Sequence, residues 1–216
     1  MSNIIKSVNL NILIIKQHTK VLIYIMLIGL FLLISSKSLI ASIITTMTII
    51  PLKGTSILFQ VEEKNKLDKF YGFIPIKKSD LIIGRYVFII LGGLSILIIS
   101  LLIQPLILIY IGISINTTEY FLSFVFGLAT YLFTISTQLP GFYKFGSING
   151  SAFSYIPLIF FAISFYLTGI FDSFGIRTIA LILNNLNLVS LIFLFISMVY
   201  TLISILISIN IYKNKQ

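Results

Sequence analysis

YVFIILGGLSILIISLLIQPLILIYI, residues 86–111, contains no Asp, Glu, Lys, Arg or His. At 1.5 Å per helical residue this stretch is about 39 Å long, against a hydrocarbon layer of roughly 30 Å. It is long enough to cross a bilayer with some tilt. The Gln104-Pro105 pair is expected to bend it, because proline removes one backbone hydrogen bond.

Runs of the same kind recur on both sides. Residues 120–139, 153–171 and 188–210 follow it, and residues 21–36 and 38–59 precede it. The expectation is an all-α polytopic membrane protein with six transmembrane helices, short loops and one transmembrane domain over residues 1–216. The run 21–36 is short unless Lys20 and Lys37 snorkel to the two headgroup layers. The apolar stretch 178–210 is too long for one span and too short for two. Asn184, Asn185 and Asn187 divide it, so 178–183 reads as an outer interfacial stretch that re-enters after the asparagines. Residues 1–20 read as an interfacial amphipathic helix, with Ile4, Ile5, Val8, Ile12 and Ile15 near one face and Lys6 and Lys16 elsewhere.

Composition agrees with this reading. Of 216 residues 58% are hydrophobic and 10% charged, and the mean hydropathy is +1.10, a balance that no water-soluble fold of 24.3 kDa could bury. The net charge of +9 does not point to nucleic acid, because the basic residues collect between apolar runs and line no soluble face. Without cysteine and with His18 as the single histidine, disulfides, thiolate metal sites and histidine clusters are excluded. No short apolar core with a small-residue cleavage site opens the chain, so the first span is expected to stay in the mature protein.

Basic side chains in short loops are retained on the cytoplasmic side of a membrane. With both termini cytoplasmic, Lys6, Lys16, Lys20, Lys64, Lys66, Lys69, Lys77, Lys78, Arg85, Lys144, Lys213 and Lys215 fall inside, and Lys37 and Arg177 outside. Lys53 remains within the second span, where snorkelling towards the cytoplasmic end accounts for it if that span finishes at Phe59.

The substantial polar segment is residues 60–85, QVEEKNKLDKFYGFIPIKKSDLIIGR. Glu62 and Lys66 stand at i and i+4, and Glu63, Leu67, Phe70, Tyr71 and Ile74 trace a mostly apolar stripe, so a short amphipathic helix is expected. Gly72 and Pro75 break it, and Ser79 with Asp80 supplies an N-cap and a first-turn acid for the helix into the third span. A topology-fixing, solvated loop accounts for the charges equally well.

The pattern Glu62, Glu63, Lys64, Asn65, Lys66, followed by Pro75, Lys77, Lys78 and Arg85, resembles the first cytoplasmic loop of bacterial ABC transporter permeases of the type-2 exporter class. Pro140 with Tyr143, Lys144, Phe145 and Gly146 is similar to that family's turn after span four, although residues 147–152 lack its basic side chains. The resemblance implies a permease subunit that couples ATP hydrolysis by a separate cytoplasmic ATPase to export of an amphipathic or hydrophobic substrate. Peptide toxins, bacteriocins, antibiotics and lipids belong to that class. It implies a coupling helix between spans two and three, with Glu62, Glu63, Lys64, Lys66, Phe70, Tyr71, Phe73, Pro75, Lys77 and Lys78 at the ATPase interface. The aromatics would be the buried anchors, with a headgroup-layer position as their alternative. It further implies a second permease copy or paralogue, contact with membrane lipids, no nucleic acid, a bacterial plasma membrane, and ATP and Mg held by the partner. A non-transporting membrane immunity or sensor protein is the alternative function.

Other signals are weaker. Residues 141–147, GFYKFGS, lack the lysine of a phosphate-binding loop and read as a turn. The Glu62-Glu63 pair lacks the downstream Arg and the intramembrane His of CAAX-type proteases, so no catalytic, cofactor or metal residue is expected. Gln104, Gln138 and Asn187 face either a translocation route or a neighbouring helix.

Overall fold

A computed structural model describes residues 3–16, 27, 30, 31, 33, 34, 37–67, 77–159 and 185–214. Within them the elements are helices: α1 Asn3–Lys16, α2 Leu39–Lys64, α3 Lys78–Tyr110, α4 Thr117–Gly150 and α5 Leu186–Lys213. A short 3-10 helix, Ser151–Tyr155, follows α4 and runs into helix as far as residue 159. Four of the described helices, those built on α2 to α5, are long and apolar enough to cross a membrane. Most of the expected first span, the expected fifth span beyond residue 159, and residues 172–184 lie outside the described residues.

Three boundaries correct the sequence reading. α2 does not stop at Phe59 but carries Gln60 to Lys64 as its last turn. Glu62 and Glu63 therefore stand on a spanning helix and not on a separate amphipathic one. The helix ends because Lys66 adopts φ 51° and its N–H turns back to Glu63 O at 3.1 Å. α3 is capped by the extended Lys77, with Ser79 inside the first turn and Asp80 still placed to meet the helix dipole. α4 runs through Pro140, so residues 141–145 are helical and not a turn. Only Gly146 leaves the helix, at φ 81° and ψ −172°. The longer α2 also moves Lys53 to about 16 Å from the Lys64 end, a poor position for snorkelling to that side.

Contacts fix the register. Leu39 N–H reaches Glu119 at 3.3 Å, Thr55 bonds Gln138 at 2.7 Å, and Phe59 stacks on Phe142 at 4.9 Å, so α2 and α4 run parallel. Phe126 with Phe193, Phe133 with Tyr200 and Tyr143 with Tyr212 show α5 parallel to α4. α3 runs against them, with Leu101 beside Tyr120 and Ile89 beside Tyr131. Beyond α4 the chain folds back, stacking Phe153 on Phe145 at 5.3 Å. This arrangement puts the exposed Lys64, Lys66, Lys77, Lys78 and Lys213 at one end of the bundle and Lys37 with Glu119 at the other.

The bundle has a buried apolar core that includes Ile43, Met47, Leu97 and Ile135, but α5 packs on it through a polar face and turns its apolar face outward. The buried residues of α5 are Ser190, Ser197, Thr201, Ser204 and Ser208, while Phe195, Leu202 and Leu206 are about two-thirds exposed. In lipid no hydrophobic force drives helices together, so small hydroxyl residues that allow close approach and interhelical hydrogen bonds form the contact face.

The hydroxyls also repair the backbone where prolines break it. Pro140 has no N–H for the carbonyl of Ser136, and Ser204 Oγ of α5 donates to that carbonyl at 2.7 Å. Pro105 likewise strands Leu101 O, which accepts from Tyr120 OH at 2.7 Å. An unmet carbonyl in hydrocarbon is costly, and these two donors remove the cost. Since Ser204 spends its proton on Ser136 O, it accepts from Tyr86 OH at 2.7 Å, and Tyr86 in turn accepts from Ser208 at 2.9 Å. Ser204→Ala and Tyr120→Phe are each expected to lower stability in detergent by about 1–2 kcal/mol. Thermal unfolding of the purified variants checks this, with Ser95→Ala, an exposed hydroxyl bonded within α3, as the control.

Candidate functional site

At the lysine-rich end the last turn of α2 meets the second turn of α3. Glu62 and Arg85 form an ion pair whose side chains are 6% and 3% exposed. Burial of two charges is tolerated only when they are paired and otherwise solvated by the protein. Here the guanidinium also lies over the rings of Phe59 at 4.7 Å and Tyr143 at 5.6 Å. Phe59 stacks on Phe142 and meets Tyr143 edge-on at 5.2 Å, Tyr143 meets Tyr212 edge-on at 5.7 Å, and Lys78 Nζ lies 5.9 Å from the Tyr212 ring. Residues from α2, α3, α4 and α5 thus converge on one aromatic and ionic cluster.

Glu63 points the other way along α2. Its carboxylate accepts from the Ser147 backbone N–H at 3.1 Å and from the Ser147 hydroxyl. The contact falls at the break in α4, where a Cβ on Gly146 would collide with Glu63 Oε1. Position 146 is therefore glycine for two reasons, its backbone angles and the carboxylate above it.

Of the residues singled out in the sequence, Glu62 is buried in the cluster, Glu63 is exposed but bonded to α4, and Lys64, Lys66, Lys77 and Lys78 are exposed around them. Tyr143 is buried at the centre. Lys144 is exposed, Phe145 is 45% exposed, and Gly146 is the break. Phe70, Tyr71, Phe73 and Pro75 lie outside the described residues. The sequence reading used Arg85 as a topology and pattern residue and did not single out Phe59, Phe142, Ser147 or Tyr212. An arginine about one helical turn into the apolar run that begins at Leu81 was the available signal, since such a charge requires a partner.

Gln138 is buried against Thr55, which makes it an interhelical tie. The Thr55 hydroxyl lies 2.5 Å from Pro51 O and 2.7 Å from Gln138 Oε1, so its one proton is shared between the two acceptors. Gln104 is buried in α3, and Asn187 is exposed in the first turn of α5.

Between α2 and α3 lies an open apolar cavity of about 210 Å³, walled by Ile50, Leu58, Phe88, Ile96 and Tyr131. Gly54 and Gly92 leave its sides open, and Gly93 admits the Tyr131 ring against α3. Its lining suits an alkyl chain or an apolar ring. A second cavity of about 400 Å³, bordered by Ser136, Lys144, Phe153 and Tyr200, lies where the chain folds back after α4.

A family model described as ABC-2 family transporter protein matches residues 8–213. No curated protein and no solved structure matches the chain.

Proposed function

This chain belongs to the ABC-2 transporter family as a transmembrane, permease-type subunit, and we propose that it couples ATP hydrolysis by a separate cytoplasmic ATPase to export of an amphipathic or hydrophobic substrate. In this reading it works with a second copy or a paralogue in a bacterial plasma membrane, with both termini cytoplasmic. The exposed lysines gathered at one end of the bundle support that orientation.

The observation that carries the reading is the cluster around Glu62 and Arg85. The chain between α2 and α3 leaves and re-enters the bundle within one or two turns of a buried ion pair, so the two helices move as one body. Glu63 extends the linkage to α4 at Gly146. A push from an ATPase on the 65–77 segment is then delivered to three helices together, which is what a rigid-body change between access states requires. The apolar cavity between α2 and α3 lies on the moving part and supports a hydrophobic cargo. Bond chemistry belongs to the ATPase, and the residues here transmit force.

Phe70→Ala and Tyr71→Ala test this. With insertion into the membrane unchanged, each is expected to lower cargo-stimulated ATPase activity and export by roughly tenfold, as for removal of an interface anchor. Unchanged export with both residues replaced would remove this segment from the coupling path.

A further inference from the structure

α1 turns its polar side to the protein. Ser7 is buried and donates to Leu81 O at 3.0 Å, and Asn11 is buried and donates to Ser7 O at 2.8 Å. The approach to α3 is close, since a Cβ on Gly84 would sit 2.5 Å from Ser7 Cβ. Asn3 reaches Asp80 at 3.5 Å, so the helix is held at the lysine-rich end of the bundle.

The outward side is of a different character. Ile5 and Ile12 are 46% exposed and Leu13 is 63% exposed, and the exposed Lys6 and Lys16 share their arc. At 3.6 residues per turn these five side chains fall within about 120° of the helix circumference. A helix facing water would not display three large aliphatic groups on the same arc as two ammonium groups. A bilayer interface accepts that mixture, with the aliphatic groups at the acyl boundary and the ammonium groups among the headgroups. The neighbouring exposed Lys77 and Lys78 add to the positive field over the same surface.

We propose that the outward face of α1 is a binding surface selective for anionic phospholipid. The charge pattern selects the lipid and the aliphatic groups hold it, while the Ser7 and Gly84 contacts fix the surface to the start of α3. A lysine at an anionic surface contributes about fivefold, so Lys6 and Lys16 together give roughly a 25-fold preference over a zwitterionic lipid at low salt.

The chain contains no tryptophan, so Leu13→Trp provides a single fluorescent reporter. The full chain carrying it is reconstituted in phosphatidylcholine nanodiscs doped with brominated phosphatidylglycerol or, in parallel, brominated phosphatidylcholine. Quenching is expected from both, and far more strongly per molecule from the glycerol lipid. High salt, or Lys6→Gln with Lys16→Gln, is expected to bring the two lipids level, while Lys6→Arg with Lys16→Arg keeps the preference. Equal quenching by the two lipids in the unaltered background would overturn the proposal, and so would the absence of quenching. If the Lys→Gln pair leaves the preference intact but loses a co-purifying ATPase, the face binds protein and the proposal also fails. None of these readouts requires transport, so their outcome is independent of the exporter reading.

Discussion

Arg85→Ala is expected to destabilise the folded chain by about 3–5 kcal/mol, because it leaves a buried charge without its partner. An exposed ion pair would contribute at most about 1 kcal/mol, but at 3% and 6% exposure Arg85 and Glu62 are beyond the screening of water. Removing the guanidinium leaves Glu62 as a buried, uncompensated carboxylate and takes the cation from between Phe59 and Tyr143. Glu62→Gln, which keeps the volume and strands the arginine instead, is expected to cost nearly as much. Replacing both residues by leucine removes the stranded charge altogether, and the double variant should recover most of the loss. Unfolding midpoints of the four proteins in one detergent decide the matter. A double variant no more stable than either single one would show that packing, not charge pairing, is what the pair supplies.

The second large effect is expected at Gly146. Its angles, φ 81° and ψ −172°, belong to a region that residues with a Cβ occupy only at a cost of about 1–3 kcal/mol. The added Cβ of Gly146→Ala would also drive Glu63 off Ser147, losing a charged hydrogen bond worth roughly another 1.5 kcal/mol. A total of about 3 kcal/mol is expected in unfolding measurements. Gly146→Asn should fare no better, because asparagine tolerates the left-handed helical region but not this one. Lys66 provides the contrast. At φ 51° it occupies that left-handed helical region, so Lys66→Asn or Lys66→Gly is expected to be neutral or slightly stabilising. A harmless Gly146→Ala would mean that α4 can straighten and release Glu63 freely. In the exporter reading such a release would sever α4 from the moving helices, so cargo-stimulated ATPase activity measured on the same variant tests both levels at once.

How much of this was legible beforehand differs from element to element. Residues 86–111 announced a membrane helix because nearly all of their side chains favour lipid on their own, and the sum needs no knowledge of neighbours. The same holds for 38–59, 120–139 and 188–210. The ends of these helices were less legible. Gln60 to Lys64 are polar enough to read as part of a separate cytoplasmic helix or a solvated loop, yet they complete α2, because Glu62 has Arg85 to pair with and Glu63 has Ser147. Likewise Pro140 reads as a helix end, and α4 continues through it because Ser204, far away in sequence, supplies the donor that the proline lacks.

The sequence alone therefore determined that the chain is helical, that four of its helices are long and apolar enough to cross a membrane, and that its cations gather between apolar runs. Transfer free energies of individual side chains are local quantities that add along a segment. Only the tertiary structure decided that α4 packs against both α2 and α5, that four helices share the Glu62–Arg85 cluster, and which hydroxyl caps which broken carbonyl. In lipid the faces that meet are chosen by a few small and polar residues on each helix, and a hydrogen bond or ion pair gains its value from a partner whose position the local sequence does not encode.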